Sequence, residues 1–259
     1  MTTLIKNGLV FDGTENPPVK KDILIANGKI GHLGNFSYKH ADQVVDAIGA
    51  IVTPGFVDIN TDSDHHLTIF SEPEQADFLS QGVTTIIGGN CGASLAPIIG
   101  NSVSAIEEWS NIQELSVNWR SVKEFLTLLT KKGLGVNFGT LVGATTIKHF
   151  FTRGTARDLT QAEIDGFKRI LAQAFKDGAF GLSLGLSSLY GRGSAYEEVA
   201  ALVRFVAENR RICSLHLRSG ENKLVNAAQE IILLARQTFV NLEINHFQPI
   251  LGFTKEYSV

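Results

Sequence analysis

Gly82–Pro97 reads GVTTIIGGNCGASLAP, a strand pattern followed by a glycine-rich turn and a cysteine. Val83–Ile87 is a short apolar and β-branched run, typical of a strand buried on both faces of a parallel sheet. Gly88 and Gly89 allow a sharp turn, and Cys91 comes directly after it. Parallel α/β folds keep their chemistry at the carboxyl ends of their strands, which makes the Cys91 thiol a candidate functional group. The alternative is a small cysteine that only packs in the core.

Strand and helix patterns alternate from Thr53–Gly55 onwards, which predicts a parallel sheet. Predicted capping boxes at Thr160 and Ser194 open two of the helices. Six βα units fall short of the eight that close a TIM barrel, so either the sheet is open or the barrel is truncated after strand six. We favour the truncated barrel. The predicted strands are Phe56–Asn60, Val83–Ile87, Val136–Val142, Phe180–Leu184, Ile212–Leu217 and Val240–His246.

Residues 1–53 have a different pattern, with short strand-like runs separated by turn signals. Asn7-Gly8 and Asn27-Gly28 lie between or within apolar runs, as hairpin turns do. We therefore predict a small antiparallel β domain over residues 1–53 and a barrel domain over residues 54–259.

Composition narrows the class of protein. The chain has 259 residues, 44% of them hydrophobic and 19% charged, and a net charge of −3. This charge balance does not indicate a nucleic-acid-binding surface. The sequence contains no run of about 18 apolar residues, so it does not predict a membrane span. The amino terminus lacks the pattern of a secretory signal. Two distant cysteines do not make a disulfide framework, so we expect a cytoplasmic protein.

Three metal-ligand side chains end three of the predicted strands: Cys91, His216 and His246. A barrel brings its strand ends to one mouth, and one Cys with two His is a zinc ligand set that leaves a position open for water. For each histidine alone, a structural role is the alternative. Cys213 lies three residues before His216, so the two side chains point to opposite faces and Cys213 is expected to pack in the core.

Acidic and amide side chains cluster where the first barrel strand ends: Asp58, Asn60, Asp62 and Asp64. These groups could bind metal, hold a water or cap the turn. The remaining histidines are interpreted as solvated or as neighbours of the site, with His149 in a loop. They are His32, His40, His65, His66 and His149.

Several segments together resemble the N-acyl-D-amino-acid deacylases (D-aminoacylases) of the amidohydrolase superfamily. The most specific is the Asn-Cys-Gly-x-Ser-Leu-Ala-Pro segment, and the resemblance covers essentially the whole chain. It implies a TIM barrel joined to a small β-sandwich, with zinc held by Cys91, His216 and His246. The segments are Thr53–Asp58, Gly82–Thr85, Gly89–Pro97, Gly178–Ser183, His216–Arg218 and Ile244–His246.

The resemblance implies a zinc-dependent hydrolase that cleaves a linear amide C–N bond, releasing an acyl group from an amino acid. One alternative is a cyclic amidase of the hydantoinase or dihydroorotase kind. Those enzymes commonly carry a carboxylated lysine on the fourth strand, and Phe180–Leu189 contains no lysine. The other alternative is a truncated, non-catalytic relative. The expected partner is a small N-acyl amino acid rather than nucleic acid or membrane, and a homo-oligomer is left open.

Four positions depart from the family's pattern. The family's His-x-His pair falls on Asn60 and Asp62, its basic residue after the sixth strand falls on Gln248, and Tyr190 is displaced from the family's tyrosine. The family's catalytic aspartate ends strand eight, which lies beyond these six strands, so the 259 residues alone are expected to be inactive. Within them, Asp62 is the candidate base that could stand in for that aspartate. Asn60 and Asp62 are also candidate metal ligands. Arg218 and Tyr190 are candidate substrate-binding residues.

Overall fold

A computed structural model describes residues 1–35, 41–100, 102–107, 109–112, 116–188, 194–218 and 224–247. The chain divides into two compact units, Met1–Phe56 and Val57–Val259.

The first unit consists of two small sheets built from seven short strands. Four strands pair in the order β5-β4-β1-β6 and three in the order β3-β2-β7. The predicted antiparallel pairing is confirmed for β1–β4, β4–β5 and β2–β3. It is wrong for the two remaining pairs, because β1 pairs in parallel with β6 and β2 pairs in parallel with β7. The Asn27-Gly28 turn joins β4 to β5 with both residues at positive φ, as a tight hairpin requires. The strands are β1 (Thr2–Lys6), β2 (Leu9–Val10), β3 (Val19–Lys20), β4 (Asp22–Ala26), β5 (Lys29–Gly34), β6 (Gln43–Asp46) and β7 (Ile51–Val52).

The barrel part has its strands at the six positions predicted from the sequence. The sheet orders are β10-β9-β8 and β11-β12-β13-β14, and the pairs along β11 to β14 and between β9 and β10 are parallel. The third predicted strand is divided at Leu141, whose N–H donates to the Gly88 carbonyl at 2.9 Å. The strands are β8 (Phe56–Asp58), β9 (Val83–Gly88), β10 (Asn137–Thr140), β11 (Val142–Gly143), β12 (Gly181–Gly185), β13 (Ile212–His216) and β14 (Asn241–Asn245).

Helices connect these strands, and the longest one that was not predicted is α4 (Ala144–Thr152). Residues 144–152 form a helix although their sequence, ATTIKHFFT, is rich in β-branched and aromatic residues with weak helix propensity. Burial of Ile147 outweighs that propensity, and His149 lies in the last turn of this helix rather than in a loop. The helices are α1 (Thr68–Ser71), α2 (Ala76–Ser80), a 3₁₀ helix (Ser102–Ile106), α3 (Val122–Lys132), α4 (Ala144–Thr152), α5 (Gln161–Lys176), α6 (Tyr196–Glu208) and α7 (Leu224–Thr238).

The two predicted capping boxes have different outcomes. Thr160 and Glu163 form the box that opens α5, as predicted. The box predicted at Ser194 is wrong: Ala195 is the N-cap of α6 and caps without a side-chain hydrogen bond. The Ser194 hydroxyl instead accepts a hydrogen bond from the Lys148 ammonium at 2.7 Å.

That bond belongs to a buried ionic network. Lys148 on α4 also donates to Glu198 on α6 at 2.7 Å, and both side chains are 5% exposed. The other Glu198 oxygen accepts the Leu159 N–H at 2.7 Å, so both carboxylate oxygens are hydrogen-bonded. The network therefore joins α4 and α6 to the segment that leads into α5.

The main core lies between the sheet and the helices. Phe125 on α3, Phe167 on α5 and Val203 on α6 are fully buried there, together with Cys213 and Leu215 of β13. Cys213 faces this core, whereas His216 at the end of the same strand is half-buried. None of the helices in the described part of the chain is both apolar enough and long enough to cross a membrane.

We expect Glu163→Gln to lower the free energy of unfolding at pH 7 by about 1 kcal/mol, the usual contribution of a helix cap. Glu163 bonds the Arg157 guanidinium and the Thr160 N–H, and these bonds lower the pKa of its carboxyl from 4.5 to about 2. A lowered pKa stabilises the fold above pH 4.5, and this contribution is lost as the pH falls toward 2. Urea titrations from pH 7 to pH 2.5 measure it. A wild-type–variant difference as large at pH 2.5 as at pH 7 would contradict the assignment.

Candidate metal centre

Cys91, His216 and His246 converge at the carboxyl edge of the strands. One ligand atom from each of the three lies within 4.8 Å of the others. Cys91 Sγ is 3.2 Å from His246 Nε2, and the two imidazole rings have their centroids 4.8 Å apart. β13 ends at His216 and His246 directly follows β14, so strand pairing places the two imidazoles side by side.

The donor set and its spacing fit zinc. A thiolate and two imidazoles are preferred zinc ligands, and three protein ligands leave the fourth tetrahedral position open. Donors bound to one zinc at about 2.0–2.3 Å lie roughly 3.5 Å apart. The Cys91–His246 distance is already of that size, and the third donor needs only a small closure.

Burial sets the protonation of these ligands in the metal-free protein. Burial, followed by the charge of Asp62, raises the pKa of the Cys91 thiol to about 12. Burial and the neighbouring His246 lower the pKa of His216, so that its imidazole is held in the neutral, ligating form. Because a metal ligand must be deprotonated, binding a divalent cation here releases the Cys91 proton.

A strained turn presents the Cys91 side chain. Cys91 has φ 52°, in the left-handed region that non-glycine residues rarely adopt, and Gly89 and Gly92 have φ 74° and 82°. A Cβ on Gly92 would lie 2.6 Å from the Gly185 nitrogen, so this position requires glycine. The Ser183 hydroxyl donates to the Gly89 carbonyl and accepts the Gly92 N–H at 3.1 Å, which links the turn to β12.

A buried amide–hydroxyl network joins the same turn to β13 and β14. The Asn90 side-chain oxygen accepts hydrogen bonds from Ser214 at 3.0 Å and from Asn245 at 3.3 Å. Its nitrogen donates to the carbonyls of Ile59 and Ile87. The strands that carry the two histidines and the turn that carries Cys91 are thereby fixed to one another. Sequence reasoning did not single out this network.

His65 and Asp62 form a pair beside the cluster. His65 is fully buried, with Nδ1 3.0 Å from Asp62 Oδ1, Nε2 3.0 Å from the Ala93 carbonyl oxygen, and its ring stacked on Trp109 at 4.6 Å. Burial acts to lower the pKa of His65, but the Asp64 and Asp62 carboxylates outweigh it and raise the pKa to about 9. Both ring nitrogens therefore donate. Of the two roles expected for His65, solvated group or neighbour of the site, the structure shows the second, and the i, i+3 spacing of Asp62 and His65 was the available signal.

The other candidate residues lie outside the three-residue cluster. Asp62 is half-buried, and it does not belong to the Cys91–His216–His246 cluster found among the described residues. β8 ends at Asp58, whose carboxylate accepts the Asn60 N–H at 3.1 Å, so Asn60 lies in a turn and not on the strand. Arg218 bonds Glu230 of α7 through Nη2 at 3.1 Å and Nε at 3.4 Å. Tyr190 and Gln248 fall outside the described residues.

Parallel strands with a Cys-His-His cluster at their carboxyl edge define an α/β fold of the TIM-barrel type with a candidate metal site. The chain is 29% identical to the N-acyl-D-aspartate deacylase of Alcaligenes xylosoxydans xylosoxydans, covering 94% of this chain and 48% of the relative. It is 28% identical to the D-aminoacylase of the same organism, covering 98% of this chain and 52% of the relative. The chain thus spans about half the length of these curated relatives.

Solved structures agree with the sequence comparison. The crystal structure of N-acyl-D-glutamate deacylase from Bordetella bronchiseptica, complexed with zinc and a phosphonate mimic of the tetrahedral intermediate, matches with a TM-score of 0.82. It is 27% identical, and the match covers 93% of this chain and 50% of that chain. An L-hydantoinase from Arthrobacter aurescens, 16% identical with a TM-score of 0.57, shares the fold alone. No protein-family model matches the chain. The resemblance to the D-aminoacylases and the fold class expected from the sequence are confirmed.

Proposed function

We propose that this protein is a zinc-dependent amidohydrolase that hydrolyses the linear amide bond of an N-acyl-D-amino acid. The observation that carries the proposal is the Cys91–His216–His246 cluster, placed at the strand ends of a chain that is 29% identical to a deacylase over 94% of its length. The proposed substrate is a small molecule, and the proposed location is the cytoplasm, since the two cysteines are both free thiols.

Three ligands are proposed to hold the zinc: Cys91, His216 and His246. When bound, zinc polarises a carbonyl oxygen and lowers the pKa of a coordinated water toward about 7. The three side chains lie at the carboxyl edge of the strands, where parallel α/β folds bind their substrates.

Asp62 is proposed as a proton acceptor beside the cluster. The hydrogen bond from His65 lowers the pKa of the Asp62 carboxyl, so Asp62 is ionised at neutral pH and able to take a proton. Its carboxylate is close enough to influence the pKa of Cys91, and His246 in turn influences the pKa of Asp62. His65 leaves one Asp62 oxygen for proton transfer because it bonds only Oδ1.

Arg218 is proposed to bind the substrate carboxylate. A guanidinium can hold a carboxylate with two parallel hydrogen bonds. Since Arg218 already bonds Glu230 in this way, a substrate would have to share or displace that contact.

The test is an amino-acid release assay on the protein as its gene encodes it, loaded with one equivalent of zinc. We expect release from N-acetyl-D-aspartate, N-acetyl-D-glutamate or N-acetyl-D-leucine, weak release from the L-isomers, and loss of turnover in His246→Ala. Asp62→Asn is expected to lower turnover by about 10²–10⁴-fold, the usual contribution of a general base. Cys213→Ala serves as the matched cysteine control with unchanged turnover.

Two results would contradict the proposal. One is a zinc-loaded protein that releases no amino acid from any of these substrates. The other is ring opening of hydantoin or dihydrouracil in preference to the linear amides, which would instead support the cyclic-amidase alternative.

A further inference from the structure

Two consecutive buried residues, Asp64 and His65, hold the Cys91 turn from both sides. Asp64 Oδ2 accepts the Gly89 N–H at 2.7 Å, two residues before Cys91. His65 Nε2 donates to the Ala93 carbonyl at 3.0 Å, two residues after Cys91. The two backbone groups that are held, at Gly89 and Ala93, therefore lie symmetrically around Cys91.

The fit of Asp64 against the turn is close. Its carboxylate is completely buried, and a Cβ on Gly88 would lie 2.7 Å from the Asp64 Cγ atom. Position 88 requires glycine, because the Asp64 carboxylate occupies the space that a side chain would need. A change at either residue would move the start of the turn.

Only one of the two Asp64 carboxylate oxygens has a hydrogen-bond partner among the described residues. Oδ1 is buried and has no hydrogen-bond partner among the described residues. Burying an acceptor without a partner is unfavourable, so fold stability alone does not account for a carboxylate here. Among the described residues, the one hydrogen bond of the Asp64 carboxylate goes to the backbone of the Cys91 turn.

We propose that Asp64, together with His65, is a positioning pair that keeps the Cys91 backbone in its left-handed conformation and so aims the thiol at His216 and His246. The inference rests on the proposed metal centre. Neither Asp64 nor His65 is itself proposed as a zinc ligand. Their effect on the metal passes through the position of Cys91.

The first readout is zinc affinity, measured by competition with a chromophoric chelator. Asp64→Ala removes the hydrogen bond to Gly89 and is expected to weaken zinc binding about 10- to 100-fold, as loss of a residue supporting a metal ligand does. Asp64→Asn keeps an acceptor oxygen and is expected to stay within about threefold of the wild type. Asp22→Ala is the matched control, because Asp22 is also a buried carboxylate that accepts a backbone N–H, from Asn7 at 3.0 Å, in the first unit.

The second readout needs no metal. Alkylation of Cys91 by iodoacetamide in the metal-free protein reports access to its thiol, and fully buried Cys213 serves as the internal reference. We expect Asp64→Ala to alkylate Cys91 about tenfold faster than the wild type, since thiol reactivity depends on access. Asp22→Ala is expected to match the wild type. Asp64→Asn also removes the Asp64 charge, which raises the pKa of the Cys91 thiol, so it is expected to alkylate more slowly than Asp64→Ala and the difference between the two reports access alone.

The inference is overturned if Asp64→Ala binds zinc and alkylates like the wild type, if Asp64→Asn is as impaired as Asp64→Ala, or if Asp22→Ala is equally impaired. Should Asp64→Ala not fold, His65→Phe keeps the ring stack on Trp109, removes the bond to Ala93, and carries the same expectation. Wild-type alkylation of His65→Phe also overturns the inference. A wild-type protein that binds no zinc contradicts the proposed function alone, because the alkylation rates still test the positioning pair.

Discussion

Cys91→Ala is expected to reduce bound zinc from about one equivalent per chain to near zero, since a structural or catalytic zinc site rarely survives on two protein ligands. The thiolate is the strongest of the three proposed donors. Without it, His216 and His246 keep only their imidazoles, whose centroids lie 4.8 Å apart. Elemental analysis of the dialysed protein measures the metal content directly.

Cys213→Ala is the control for this experiment. Cys213 lies on the opposite face of β13 from His216 and packs in the fully buried core. The variant is expected to retain its zinc while losing some stability. Equal zinc loss in the two cysteine variants would contradict the proposed ligand set.

Glu198→Ala is expected to lower the free energy of unfolding by about 3–5 kcal/mol, because it leaves the buried Lys148 ammonium without its counter-charge. The Leu159 N–H also loses its acceptor. Against a total stability of about 5–15 kcal/mol for a typical domain, this is a large fraction. Urea unfolding of wild type and variant at pH 7 measures the change.

The double variant Lys148→Met/Glu198→Gln separates the charge from the packing. It removes both charges while the glutamine oxygen still accepts the Leu159 N–H, so we expect it to recover at least half of the lost stability. A double variant that is less stable than Glu198→Ala would show that the ion pair itself stabilises the fold.

The positions of the barrel strands could be predicted because each is a short apolar run that ends in glycine or a polar residue. The histidine positions followed from the same rule, since His216 ends one run and His246 follows another. Helix α4 could not be predicted from propensity, because the burial of Ile147 is a tertiary effect. In the first unit, the parallel pairing of β6 with β1 and of β7 with β2 depends on contacts between residues about 40 apart in the chain, which local turn signals do not encode.

Part of the candidate site was hidden from sequence reasoning for a similar reason. The roles of Asp64 and His65 depend on hydrogen bonds to the backbone of a turn 25 to 28 residues further on. Backbone partners leave no trace in residue identity, so both residues looked like polar members of a loop. The interruption at Leu141 has the same origin, since it depends on a bond to the Gly88 carbonyl.

The stacking of Trp109 on His65 gives the protein an intrinsic optical reporter. A protonated imidazole quenches indole emission at short range, so the fluorescence of Trp109 is sensitive to the charge and orientation of the His65 ring at 4.6 Å. The chain contains only two tryptophans, so Trp119→Phe would leave Trp109 as the sole indole emitter. Movements of the Cys91 turn that shift His65 could then be followed in real time, by stopped-flow mixing with metal or chelator and without an attached dye.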